Sequence, residues 1–153
     1  MSRSMVRLHH GPFYFVKTYE LIEHTADVGI RVRGTDLKEL FKNSASAMFD
    51  IMAETKNPEV RKLKKIKIKQ KADDLEELLV NWLNELLSLS ATKELIFSDF
   101  QINKVDKNTL QAVAMGEDVK NYKVNTEIKA ATHHQLKIEQ TQSGWQVEVI
   151  LDV

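Results

Sequence analysis

A chain of 153 residues is long enough for one domain with a substantial apolar core, and the absence of cysteine excludes disulfides, thiolate metal sites and a cysteine nucleophile together. Lys and Arg number 22 and Asp and Glu number 22, so the chain lacks the basic excess that a free-standing nucleic-acid binder draws on. No apolar run approaches the roughly 20 residues of a membrane span, and the start has neither the apolar stretch nor the cleavage site of a secretory signal, so a cytoplasmic protein is expected.

Residues 1–17 read as an N-terminal extension and residues 18–153 as the domain proper. Within the extension, Phe13-Tyr14-Phe15-Val16 reads either as an added edge strand or as a loose segment. Tyr19 to Glu23 reads as a short strand running into His24-Thr25-Ala26-Asp27. Val28, Ile30 and Val32 then alternate with Gly29, Arg31 and Arg33, the pattern of a half-buried strand. Gly34-Thr35-Asp36 breaks it and opens a helix, with Asp36 as cap and Glu39 three residues on. Leu37, Leu40, Phe41, Ser44, Met48 and Ile51 share one face of that helix, which is predicted to end near Ala53, ahead of Pro58.

Residues 63–71 predict a strand with Ile66 and Ile68 inward and Lys65, Lys67, Lys69 and Lys71 outward. A second helix starts at Asp73-Asp74, carrying the apolar stripe Leu75, Leu78, Leu79, Trp82, Leu86 and Leu89. Leu95-Ile96-Phe97 and Phe100 to Ile102 lead to a turn at Asp106-Lys107-Asn108, and Leu110, Ala112 and Ala114 return toward Gly116. Residues 128–139 read as one long strand, and Gln142-Ser143-Gly144 as the turn into a closing strand from Trp145 to Leu151. Short turns between successive strands mean antiparallel pairing. The expected class is α+β, a mostly antiparallel sheet with two amphipathic helices packed on one face.

Three groups of residues carry candidate chemistry. Glu23, His24 and Asp27 lie between two predicted strands, where a loop aims carboxylate and carbonyl oxygens at a hard cation such as calcium. Asp27 serves equally well as a turn cap there, and His24 as a satisfied polar residue. At the other end, Asp152 and the terminal carboxylate of Val153 offer either two oxygen ligands or a solvated chain end. His133 and His134 are neighbours on the predicted strand and point to opposite faces, so they cannot share a metal.

Parity places His134 in the core with Ile128, Leu136 and Ile138, and Lys129 on the polar face, solvated or set against a phosphate or a carboxylate. Gly116-Glu117-Asp118 reads as a loop without phosphate-binding spacing. The lysines of residues 64–71 read as a protected sheet edge or a weak polyanion patch. No phosphate loop, dinucleotide fingerprint, zinc-protease helix or nucleophile elbow occurs, so catalysis has little support from the residues themselves.

Several segments taken in order resemble the archease family. They are Ile22-Glu23-His24-Thr25-Ala26-Asp27-Val28-Gly29-Ile30, the helix from Leu37 to Phe49, the helix from Asp74 to Leu87, Gly116-Glu117, Glu127 to His134, and Val149-Ile150-Leu151-Asp152-Val153. The resemblance implies the archease fold and a non-catalytic accessory role, the activation of the GTP-dependent tRNA-splicing RNA ligase. The accessory protein promotes guanylylation and multiple turnover of that ligase and meets tRNA indirectly, through the ligase. Carried over residue by residue, the resemblance implies a metal site at Asp27, Asp152 and the terminal Val153, with calcium as the divalent cation. It implies accessory or partner-facing roles for His24, Lys129 and Glu117.

His133 stands where the family commonly has tyrosine, and Tyr122 stands near the place of a histidine that often follows the Gly-Glu pair. Two other functions stay open on the residues alone. One is a metal-dependent phosphohydrolase built on the acidic cluster. The other is a chaperone-like RNA-processing module built on the lysines.

Overall fold

The computed structural model describes residues 19–22, 27–56 and 62–153 in full, and two segments of the extension by backbone alone, β1 (Val6–Leu8) and β2 (Tyr14–Val16). In chain order follow β3 (Tyr19–Ile22), β4 (Val28–Gly34), α1 (Leu37–Met52), β5 (Ala53–Thr55), β6 (Lys64–Lys71) and α2 (Leu75–Lys93). Then come β7 (Leu95–Val105), β8 (Thr109–Asp118), a 3-10 turn (Val119–Asn121), β9 (Tyr122–Val124), β10 (Ala130–Thr132), β11 (Ile138–Thr141) and β12 (Gly144–Asp152).

Both helices start as their sequences dictate. The Asp36 carboxylate accepts from the Glu39 amide at 2.8 Å, and Glu39 reaches back to the Thr35 amide at 2.9 Å. Asp74 and Glu77 repeat the arrangement at α2, with Asp73 supplying the second amide at 3.0 Å. Each cap satisfies amides that no helical carbonyl can reach. Ala53 ends α1 by entering extended backbone, while Glu94 ends α2 in the left-handed region at φ 55°.

All strand pairs among the described residues are antiparallel, and the strands sort into more than one sheet. One sheet runs β10-β12-β4-β3, with β11 also on β12; another runs β6-β8-β7; β5 and β9 form a short ribbon. Helix α1 packs on β4 and β7, and α2 on β6, β7, β8 and β10, so the two helices join the apolar faces of both sheets. Trp82 lies at the centre, fully buried, its indole N–H donating to the Phe41 carbonyl at 3.0 Å. Phe100 meets it edge-on at 6.0 Å, and Phe49 meets Phe97 edge-on at 5.6 Å, geometry that ring quadrupoles favour.

Three sequence readings need correction. Residues 128–139 are not one strand. After β10 the chain turns over His133 to Leu136, where the Leu136 amide donates to the His133 carbonyl at 3.1 Å and Gln135 takes φ 54°, and only then enters β11. His134 therefore sits exposed on a turn rather than in the core. Side-chain parity holds only while a strand continues, and this one stops after Thr132.

Gly116-Glu117-Asp118 belongs to β8 rather than to a loop. A Cβ on Gly116 would come within 2.6 Å of the Ile96 carbonyl oxygen, so the glycine serves close strand approach. Finally, Tyr14–Val16 pairs with Val6–Leu8 in a ribbon of its own and does not extend the edge of the main sheet.

Candidate functional site

The closing strand β12 carries the site because it is the central strand of its sheet. On one side it pairs with β4 in a register that ends at Leu151 opposite Val28. Asp152 follows Leu151 and Asp27 precedes Val28 at that end. On the other side Ala130 stands opposite Asp152, and the Lys129 amide donates to the Asp152 carbonyl at 2.7 Å. The penultimate residue of the chain is thus held by backbone pairing where termini ordinarily fray.

The two aspartates come from distant parts of the sequence and each lies one residue past the last β4–β12 pair, Asp27 half-buried and Asp152 exposed. Val153 follows, 37% exposed. Among the described residues no three His, Asp or Glu side chains gather as a metal cluster. The side-chain donors here are carboxylate oxygens, the donor type that a hard cation takes.

The rows next to the aspartates explain how this end of the sheet holds its shape. Ile150, Gly29 and Ile22 lie side by side across β12, β4 and β3. A Cβ at Gly29 would press on Ile22 Cβ at 3.3 Å and Ile150 Cδ1 at 3.4 Å, so the two isoleucines close over a position that only glycine leaves free. In the following row Arg31 binds Glu148 through Nε at 2.9 Å and Nη2 at 2.7 Å, and binds Glu20 through Nη1. The hydrogen bonds that Arg31 donates to Glu148 and then to Glu20 raise its pKa, so this guanidinium is committed to its own carboxylates.

Of the accessory residues, Lys129 is exposed beside Asp152, while Glu23 and His24 lie outside the described residues. Glu117 needs correction. It is only 2% exposed, on β8 opposite Ile96 in the other sheet, so it is enclosed rather than presented to a partner. Tyr122 is also buried.

The residue that sequence reasoning missed is Asn84. From α2 its side-chain amide donates to the Ala131 carbonyl at 3.1 Å, and its side-chain oxygen accepts from the Ala131 amide at 2.8 Å. It completes the open edge of β10 as another strand would, and β10 in turn holds Asp152. The available signal was a lone amide among the buried Leu83, Leu86 and Leu87. Asn84→Ala is expected to cost about 2 kcal/mol, one for each hydrogen bond lost. Urea unfolding measures the cost, and faster hydrogen exchange at the Ala131 amide locates it. Unchanged exchange there would remove the edge-strand role.

Comparison with known proteins agrees with this architecture. The Archease protein family (MTH1598/TM1083) matches residues 19–153. Protein archease of Methanosarcina barkeri is 38% identical over 143 residues, which is 90% of this chain and 97% of that protein. Protein archease of Pyrococcus furiosus is 36% identical over 144 residues, covering 90% of this chain and 100% of that one.

The solution structure of Methanobacterium thermoautotrophicum Protein 1598 superposes with a TM-score of 0.73 at 34% identity, over 90% of this chain and all of that one. The crystal structure of an archease from Thermotoga maritima, described as a possible chaperone, shares the fold with a TM-score of 0.61 at 22% identity, over 86% of this chain and 94% of that one. A family match that spans both helices, both sheets and the strand end bearing Asp152 leaves one assignment: this chain belongs to the archease family.

Proposed function

We propose that this protein is a non-catalytic accessory factor that activates a GTP-dependent tRNA-splicing RNA ligase, promoting its guanylylation and its multiple turnover. The observation that supports the reading is the β4–β12 pairing, which sets the strand ends next to Asp27 and Asp152 side by side, within a family match that runs from residue 19 to residue 153. In this reading Asp27, Asp152 and the Val153 carboxylate hold a divalent cation, which the family resemblance implies is calcium and with which oxygen donors are compatible. The cation supplies charge neutralisation, which lets three carboxylates share one end of a sheet and present an ordered surface to the ligase. Lys129, tied to Asp152 through its own amide, borders that surface.

The test is a guanylylation assay of the ligase with labelled GTP, with and without this protein, followed by ligation at excess RNA. Faster GMP transfer and turnover beyond one equivalent are expected. Identical time courses with and without the protein would refute the reading.

A further inference from the structure

The outer face of the sheet β6-β8-β7 has a one-sided charge distribution that the acidic site does not explain. Strand β6 is an edge of that sheet. Lys65, Lys67, Lys69 and Lys71 are all exposed on it, while Ile68 on the opposite face is 4% exposed. A strand rises about 3.3 Å per residue, so successive lysines stand roughly 6.7 Å apart and the row is about 20 Å long.

Their cross-strand neighbours are Met115, Val113, Gln111 and Thr109, and beyond these lie Asp99, Gln101 and Lys104 on β7. These strand positions set five lysines against one acid, and the acids Asp36 and Glu39 of α1, with Lys38 and Lys42, border the face only on its β7 side, around Asp99. None of the four β6 lysines enters an ion pair among the described residues. The other sheet is arranged differently, for Arg31 and Arg33 are both bound by Glu20 and Arg31 by Glu148 as well. Protection of an edge against aggregation accounts for lysines on β6, but not for the scarcity of acids in the two neighbouring rows.

We propose that this lysine face binds the phosphate backbone of a folded RNA. Lysine ammoniums repeating about every 6.7 Å act as point charges toward a regularly repeating anion read without sequence, as a phosphate backbone is. The neutral neighbours include no aromatic ring on which unpaired bases would stack, so the contact is to backbone rather than to splayed-out bases. Direct RNA contact goes beyond the ligase-activating reading, in which tRNA is met only through the ligase, and it does not depend on that reading. Four neutralised phosphates give a slope of log affinity against log salt of about −3 to −4.

The test is fluorescence anisotropy of a labelled RNA hairpin of about 16 base pairs, from about 50 to 200 mM salt, titrated with the full chain alone. Changing Lys65, Lys67, Lys69 and Lys71 together to Gln is expected to weaken binding at least about tenfold and to flatten the salt slope. Changing Lys107, Lys120, Lys123 and Lys137 to Gln removes the same formal charge elsewhere, and should change affinity less than about threefold. Lys65→Glu with Lys69→Glu keeps the edge charged and soluble, and should lose binding too, while replacement of all four by Arg should preserve it. Equal losses in the face and scattered variants would overturn the proposal, as would absence of binding by the parent chain at low salt. Tighter binding of polyglutamate than of the hairpin to the same face would identify an acidic polypeptide as the partner, and would overturn it as well.

Discussion

Asp27→Asn combined with Asp152→Asn is expected to return the ligase to its unstimulated rate while leaving the fold intact. The two positions flank the last β4–β12 pair, Leu151 opposite Val28, so each change removes a carboxylate from that end of the sheet. Asp152 is exposed, and its replacement by an amide of equal size should alter stability by less than about 0.5 kcal/mol. A second readout separates cation binding from partner contact. With calcium at a hundred times its dissociation constant, linkage predicts a stabilisation of about 2.7 kcal/mol, a rise in Tm of roughly 5–10 °C for a domain of this size. The parent chain should show that rise and the double variant should not. Full stimulation by the double variant would remove the acidic site from the mechanism, and an undiminished calcium shift would move the cation to other ligands.

Trp82→Ala should be the most destabilising single change in the core. It deletes the largest fully buried side chain, opens a cavity between Phe41 and Phe100, and leaves the Phe41 carbonyl without its indole donor. Together these effects amount to about 4–5 kcal/mol, a large fraction of the stability of a typical domain, and lower Tm by roughly 10–15 °C. Trp82→Phe keeps most of the apolar contact and loses the donor, so about 2 kcal/mol is expected. Calorimetry on the two variants checks both the total and its division. Equal losses would mean that the hydrogen bond, rather than the packing, carries Trp82.

Elements with a complete local signal were legible in the sequence. The helices announced themselves by paired caps at Asp36 and Glu39 and at Asp74 and Glu77, each followed by an apolar stripe. The turn at Asp106 was equally plain. Its carboxylate accepts from the Asn108 and Thr109 amides, which holds its pKa below the ordinary range, so the contribution is present above the usual carboxylate pKa and is lost as acidification reaches the lowered one. Readings that needed a strand to continue failed where it stopped. The alternation through His133 and His134 was compatible with a strand, but Gln135 turns the backbone into the left-handed region and carries both histidines out to solvent.

By itself, then, the sequence determined the order and start of the helices, the inward parity of β4 and β12, and the exclusion of thiolate chemistry. Those features depend on contacts a few residues apart, or on composition alone. Tertiary structure decided that the start of β4 and the end of β12 are neighbours, through strand register, and register is a relation between segments that neither one encodes. It also decided that Glu117 is enclosed and Lys129 presented, because burial depends on which sheet covers a position. The Asn84 clamp on β10 was settled in the same way, for an amide on a helix has no visible partner until a strand edge arrives beside it.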